Sequence, residues 1–492
     1  MDLVIQGFGV IFDPGVLIYI VCGTVLGVVF GALPGVSSAM ATMLALPFTY
    51  SMQALPAIAF LVTVYCSAIT GGSITAVLFR IPGTPSSACT CLDGYPMFER
   101  GEAGKALGIS LITSAIGGIF SSFVMMLCTK QLAAVALKFG PTELFAVAFM
   151  GLSVMTALDA GNSLRTVISG LIGLGLACVG IDPIQGFNRL TFGSIQLMNG
   201  IEMIPVMVGL FATVEVVTQL AKRRTMDTGK ITNTNTQIRG LGLWGMKFTI
   251  LRSAIIGTIV GILPGAGATI ASFLSYAAEV KLSKEPETYG KGNPRGVAAS
   301  ETANNAASGG SMVPLLSMGI PGGNAAAVMM AAMTIKGVQM GPLLLRTQPM
   351  FLSTVFATQI VTGILMVIVS VVIAKVFTKI LDIPYSFLGT TILMLSIIGA
   401  FATNNNITNV LIMAVATVMG VLFSKYKFSA SALVLGLVLG EICESNLRRG
   451  VLLSKSVAGF FSSPITAVLL GFSVIMLLWP VIAPRIRKKS TK

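Results

Sequence analysis

Twice in this chain an Ile-Pro-Gly tripeptide cuts into apolar sequence of the kind that crosses a bilayer, at Ile81-Pro82-Gly83 and again at Ile320-Pro321-Gly322. Proline removes a backbone donor, so each tip frees peptide groups that hydrocarbon cannot satisfy. Such a break must be buried in protein or line a cavity, and a plain bundle of uninterrupted spans is excluded. The surroundings of the two tips match. Gly71-Gly72-Ser73 and an apolar arm precede Ile81-Pro82-Gly83-Thr84-Pro85-Ser86-Ser87, while Gly309-Gly310-Ser311-Met312-Val313-Pro314 and a second arm precede Gly319-Ile320-Pro321-Gly322-Gly323-Asn324. Upstream of each lies another break, Leu33-Pro34-Gly35-Val36-Ser37-Ser38 in one half and Leu263-Pro264-Gly265-Ala266-Gly267-Ala268-Thr269 in the other.

Composition fixes the solvent in which these breaks sit. Of 492 residues, 54% are hydrophobic and only 10% charged, with a mean hydropathy of +0.89; a soluble domain carries roughly 25% charge. This is a polytopic membrane protein with room for roughly ten to twelve spans of about 20 residues. The formal charge of +14 could suggest nucleic acid. Its Lys and Arg, however, lie between apolar segments and collect in the 219–248 linker and the tail, as topology signals do. Histidine is absent, which excludes His-based triads, proton relays and HExxH metal sites. The seven cysteines are an odd set, and Cys89 with Cys91 is a lone C-x-C, so neither a disulfide framework nor zinc is expected.

Residues 1–14 carry no Lys or Arg, so no signal-peptide n-region is expected there. The run Gly15 to Leu33 reads as an uncleaved span ending at the first break. A span at about 54–70 leads to the first Ile-Pro-Gly tip. A loop from Asp93 to Lys105 follows, whose Asp93, Glu99, Arg100 and Glu102 read as solvated charges. Apolar runs come next at roughly 106–128, 141–158, 166–180 and 200–218. The linker then holds Lys222, Arg223, Arg224, Lys230, Arg239 and Lys247 against the single acid Asp227, which assigns it to the cytoplasm.

Beyond the linker the landmarks recur in order, down to Pro141 and then Asp159, Ala160, Gly161 and Asn162 lining up with Pro384 and then Ala402, Thr403, Asn404 and Asn405. The expected organisation is a first repeat over 1–218, the basic linker 219–248, a second repeat over 249–445, and an extra C-terminal helix with a basic tail over 446–492. The first repeat starts from an outer end without Lys or Arg and the second from inside, so the two are expected to be inverted. The fold class is therefore an all-α polytopic membrane protein with two inverted structural repeats, broken helices and re-entrant hairpins. Lys130, Lys138 and the Arg448-Arg449-Lys455 cluster oppose this scheme by falling in loops it puts outside.

A helix broken at Pro-Gly presents unpaired N–H groups and the positive end of a half-helix dipole, which suits carboxylates. Candidate substrate-binding residues are Ser37, Ser38, Pro82, Gly83, Thr84, Pro85, Ser86, Ser87, Pro321, Gly322, Gly323 and Asn324, with Arg80 beside the first tip. Freed carbonyls and hard oxygens can hold sodium. Pro34, Gly35, Gly265, Gly267, Thr269, Glu301, Asn304 and Asn305 are therefore candidates for a coupling ion, Na+ or H+. Bland readings stand beside these. A single break can be a packing kink, Arg80 can snorkel to the interface, Glu301 can bridge helices, and Asn404-Asn405-Asn406 can be an interfacial loop. Recurrence as a matched set favours function for the breaks. No transition metal and no organic cofactor is expected.

The segments Gly72-Ser73-Ile74 through Ile81-Pro82-Gly83-Thr84-Pro85-Ser86-Ser87-Ala88, Leu92-Asp93-Gly94-Tyr95-Pro96-Met97 and Gly101-Glu102-Ala103-Gly104-Lys105-Ala106-Leu107-Gly108 resemble the signature of the large membrane subunit of tripartite tricarboxylate transporters. So do Leu263-Pro264-Gly265-Ala266-Gly267, Ala271-Ser272-Phe273-Leu274-Ser275-Tyr276, Ser300-Glu301-Thr302-Ala303-Asn304-Asn305-Ala306 and Gly319-Ile320-Pro321-Gly322. The resemblance covers nearly the whole chain; Ser300 departs from it, standing where the family often has proline or a similar small residue. It implies a multi-pass permease of the bacterial inner membrane that works with a small membrane subunit of about four spans and a periplasmic substrate-binding protein. The implied substrate is citrate or another di- or tricarboxylate, driven by a sodium or proton gradient, and the implied movement, by analogy with other inverted-repeat carriers, is an elevator motion.

The carboxylate, the coupling ion and homodimerisation stay open at this point. One alternative is a stand-alone cation/proton exchanger or anion carrier needing no binding protein. An intramembrane enzyme or a pore is a third class, without support from HExxH or TVGYG motifs; a G-x-x-x-x-G-K-[ST] loop is also missing, in keeping with a carrier not driven by ATP.

Overall fold

The computed structural model describes residues 2–158, 162–221, 240–381, 385–454, 460–461 and 463–490. Expectations resting on Asp159, Ala160, Gly161, Pro384, Lys455, Lys492 and the linker residues Lys222, Arg223, Arg224, Asp227, Lys230 and Arg239 fall outside them.

The described chain is almost entirely helical, as the apolar runs require. The first half contains α1 (Asp2–Ile11), α2 (Pro14–Ala32), α3 (Ser38–Thr49), α4 (Ala54–Phe79), α5 (Thr90–Glu99), α6 (Ala103–Ala136), α7 (Pro141–Leu158) and α8 (Ser163–Ala177). A short ladder of β1 (Gly180–Ile181) and β2 (Asn188–Arg189) precedes one continuous helix made of α9 (Met203–Met207), a π-helical turn (Val208–Thr213) and α10 (Val214–Ala221). The second half contains α11 (Lys247–Ile262), α12 (Gly267–Leu282), α13 (Pro294–Met318), α14 (Asn324–Ile335), α15 (Leu344–Thr347), α16 (Pro349–Leu381), α17 (Tyr385–Ala402), α18 (Ile407–Tyr426), α19 (Ala430–Ser454) and α20 (Pro464–Ser490). Among the described residues, eight helices are long and apolar enough to cross a bilayer. The protein is an all-α, multi-pass membrane protein. Helices α3 and α14 have 12 residues each, about 18 Å, and are too short to cross a core of about 30 Å.

Two central helices hold the molecule together. Every residue from Ala57 to Leu78 in α4 and from Gly296 to Ser317 in α13 is buried. Glycines bring the neighbouring helices against them: a β-carbon on Gly27 would lie 2.6 Å from the Val64 carbonyl oxygen, and one on Gly31 would strike that of Ala68. In the second half Gly257 and Gly261 press in the same way on the carbonyls of Ala303 and Ala307. Both contact series rise together in number, so α2 runs parallel to α4, and α11 parallel to α13. The intervening α3 and α12 must then carry the chain back, which makes α2/α3 and α11/α12 helical hairpins folded at the Pro-Gly breaks. Between the halves the order reverses. Tyr65, Cys66 and Thr70 face Ser311, Ser308 and Asn305, so α4 and α13 are antiparallel.

Two sequence expectations change here. The Gly-Gly-Ser stretches do not open short arms; α4 and α13 pass straight through them, because a β-carbon on Gly71 or Gly310 would strike the carbonyl of Val28 or Thr258. Nor is Asp93 solvated. Its carboxylate is fully buried and accepts hydrogen bonds from the Gly292 N–H at 2.8 Å, the Asn293 N–H at 2.7 Å and the Tyr276 hydroxyl at 2.8 Å, tying the halves together.

Candidate functional site

The duplicated breaks share one backbone design. Leu33 (φ −74°, ψ 119°) and Leu263 (φ −75°, ψ 122°) leave α2 and α11 in the same extended conformation. Gly35 (φ +89°) and Gly265 (φ +79°) then turn left-handed, a region that a β-carbon disfavours. The Val36 N–H donates to the Leu33 carbonyl at 3.1 Å, and the Ala266 N–H to that of Leu263 at 3.2 Å.

The Ile-Pro-Gly tips repeat equally well. Arg80 (φ 58°, ψ 20°) and Gly319 (φ 73°, ψ 23°) are left-handed caps of α4 and α13. Each tip then folds back along the helix that led to it, with the Gly83 N–H donating to Gly72 at 3.2 Å and the Gly322 N–H to Ser311 at 3.3 Å. Gly72 therefore corresponds to Ser311, one residue out of step with the letter-by-letter match of the two Gly-Gly-Ser stretches.

Around the first tip, neutral polar groups from both halves form a buried network. Thr84 and Ser86 hydroxyls lie 3.0 Å apart, and Ser87 donates to the Thr84 carbonyl at 2.8 Å. The Asn304 amide donates to the Ser86 carbonyl at 3.4 Å, Asn305 donates to Asn304 Oδ1 at 2.8 Å, and Thr70 donates to Asn305 Oδ1 at 2.9 Å. Glu301 joins the same cluster, accepting from the Thr90 hydroxyl and from Ser114 at 3.0 Å, while Thr90 lies 3.1 Å from Ser300. Thr84, Ser86, Ser87, Glu301, Asn304 and Asn305 are all buried. Three residues of the candidate anion set, Thr84, Ser86 and Ser87, and three of the candidate cation set, Glu301, Asn304 and Asn305, thus meet in one place.

The remaining candidates are dispersed. Ser37 is the N-cap of α3, accepting from the Met40 N–H at 3.1 Å, and the Ser38 carbonyl accepts from Thr42 at 2.8 Å. Arg80 is exposed, with its guanidinium 5.7 Å from the Tyr95 ring centre, and Pro85 is exposed. Pro34 and Pro82 are half-buried in their turns. At the second tip, Pro321 and Gly322 are buried, the Gly265 N–H donates to the Gly322 carbonyl at 3.0 Å, and Asn324 donates to Ser431 at 2.8 Å beside Gly323. Gly267 and Thr269 lie half-buried at the start of α12. Asn404 donates to Glu202 at 2.6 Å and Asn406 caps α18, as an interfacial loop would.

Several network members were not singled out from sequence. Thr70, Thr90, Ser114 and Gln359, whose amide donates to Ser308 at 3.2 Å, are isolated polar residues in apolar or loop sequence. A signal existed on α13, where Glu301, Asn304, Asn305, Ser308 and Ser311 follow helical spacing and share one face.

The β-ladder carries a charged clamp. Asp182, in the turn of the β-ladder, accepts from the backbone N–H groups of Gln185 at 2.9 Å and Ile184 at 2.8 Å, and pairs with Arg448 at 2.7 Å. Arg189 pairs with Glu444 of α19. The Gln185 N–H, then the Arg448 side chain, hold the Asp182 carboxyl down to about 2.

Residues 17–435 match the Tripartite tricarboxylate transporter TctA family. An uncharacterised 52.8 kDa protein from the TAR-I ttuC' 3' region of Agrobacterium vitis is 34% identical over 496 residues, covering 100% of this chain and 99% of that protein. A second uncharacterised A. vitis protein, from the TAR-II ttuC' 3' region, is 36% identical over 234 residues, 47% of this chain and 96% of its own length. The family match runs through both sets of breaks and the helices that join them. The chain therefore belongs to the tripartite tricarboxylate transporter TctA family, as the large membrane component of a transport system that has other subunits.

Proposed function

We propose that this chain is the permease of a binding-protein-dependent carrier that moves organic di- and tricarboxylates, citrate among them, into bacteria across the inner membrane on a sodium or proton gradient. The observation that carries the reading is the buried network at the first tip, where neutral groups from both halves converge on a broken helix. Backbone N–H groups and neutral hydroxyls and amides can hold a polyanion without a fixed cationic partner. A coupling cation bound nearby lowers the cost of keeping that charge in a dry site.

In the mechanism, a periplasmic binding protein delivers the anion toward Pro82–Ser87 and Pro321–Asn324, and a small membrane subunit completes the assembly. The basic linker marks the cytoplasmic side. The antiparallel relation of α4 and α13 supports two inverted repeats, whose hairpins α2/α3 and α11/α12 then enter from opposite faces. Loaded hairpins moving against the other helices would give alternating access by an elevator motion. Replacing Ser86 by alanine is the direct test. The citrate concentration for half-maximal uptake rises about tenfold on loss of one good hydrogen bond; unchanged uptake would remove the first tip from the site.

A further inference from the structure

The two Pro-Gly breaks have the same backbone and opposite surroundings. At Gly265 a β-carbon would fall on the sulfur of Met155, so the second break is packed by a thioether from α7. At Gly35 it would lie 2.7 Å from Glu215 Oε1 and 3.0 Å from Gln219 Nε2, so the first break is packed by a carboxylate and an amide from α10. The backbone geometry alone does not call for a carboxylate, because the second break does without one.

Glu215 lies in an apolar span, Met203–Leu220, where a lone ionised acid is expensive. Its one hydrogen bond among the described residues comes from Gln219 Nε2 at 2.7 Å, and no ion pair among them includes it. Directly before it the helix widens into the π-turn Val208–Thr213, a feature that commonly marks functional sites and that changes which face later residues present. The turn is anchored on α18, with the hydroxyls of Thr213 and Thr417 lying 2.5 Å apart. The break beside Glu215 also frees backbone carbonyls: among the described residues none donates a backbone hydrogen bond to Pro34 or Gly35.

We propose that Glu215, held in place by the Gln219 amide, and the carbonyls of Pro34 and Gly35 form a binding site for a hard monovalent cation, with sodium as its natural probe. Carboxylate and backbone oxygens are the donors such an ion takes. The site sits where a hairpin tip meets α10, so occupancy would report on the hairpin's position. Calling this ion the coupling ion rests on the transport reading above; the cation site itself does not.

The test is sodium binding to the purified full chain in neutral-lipid nanodiscs, read as radiolabelled sodium retained and as sodium-dependent protection against heat, with choline as control. Wild type is expected to saturate. Glu215→Gln should raise the sodium concentration for half-saturation at least tenfold without changing thermal stability in choline, and Glu215→Asp should fall between. Should Glu215→Gln not fold, Gln219→Leu should weaken binding in the same direction. Sodium binding unchanged in Glu215→Gln, or lost in Glu301→Gln alone, overturns the assignment. Citrate uptake that fails while sodium binding still needs Glu215 would refute the transport reading and leave this site standing; sodium-driven uptake with binding indifferent to Glu215 would do the reverse.

Discussion

Thr70 of α4 donates its hydroxyl to the side-chain oxygen of Asn305 on α13, 2.9 Å away, and so joins two central helices that run in opposite directions. Asn305 in turn donates to Asn304, which donates to the Ser86 carbonyl. Replacing Asn305 by alanine leaves the Thr70 hydroxyl and Asn304 Oδ1 without these partners, at about 1–3 kcal/mol for each buried group. The expected outcome is uptake whose half-maximal substrate or ion concentration rises at least tenfold, with a smaller rise for Thr70→Ala; concentration series in both variants check it.

The close packing of α2 on α4 and of α11 on α13 predicts that Gly31→Ala and Gly261→Ala each destabilise the fold by about 1–3 kcal/mol, since the new methyl meets a backbone carbonyl that cannot swing aside. Gly175→Ala in α8, where nothing lies within 4 Å, should be neutral or slightly stabilising. Thermal unfolding in detergent compares the three.

Asp93→Ala strands three donors that now converge on one buried carboxylate, those of Gly292, Asn293 and Tyr276. A loss of several kcal/mol is expected, seen as a collapse in folded yield, whereas Asp93→Asn keeps an acceptor and should lose less.

The β-ladder clamp should respond to acid. The Asp182 carboxyl is lowered from 3.8 to about 2, so its contribution is whole above 3.8 and is lost as pH falls from there toward about 2. Hydrogen exchange of the Ile184 and Gln185 amides should quicken over that window beyond the intrinsic pH trend, and Asp182→Asn should remove the extra pH dependence.

Much of this architecture was legible because a break at membrane depth is chemically costly wherever it occurs. Pro34-Gly35 and Pro264-Gly265 turned out to be hairpin turns, and Thr84, Ser86, Ser87, Asn304 and Asn305 lie in one buried network. Other features depend on partners far along the chain. Asp93 finds its donors 199 and 200 residues away, and no local pattern separates it from a solvated loop acid. The Gly-Gly-Ser stretches read as the start of the arms that lead to the tips, but Gly71 and Gly310 serve close helix contact, which depends on what packs there. Glu279 is likewise buried, receiving Arg252, Thr249 at 3.1 Å and Tyr289 at 3.0 Å. Arg80 was read as a substrate contact or a snorkelling side chain; it caps α4 and lies over Tyr95.

The central claim is a carrier that needs partners and an ion gradient. It is tested most directly by uptake of labelled citrate in cells lacking their own carriers, expressing this chain with and without a periplasmic binding protein and a small membrane subunit, in sodium and sodium-free buffer. Uptake that requires all three proteins and collapses with the ion gradient is the predicted result. Uptake by this chain alone, or transport indifferent to any ion gradient, would contradict it.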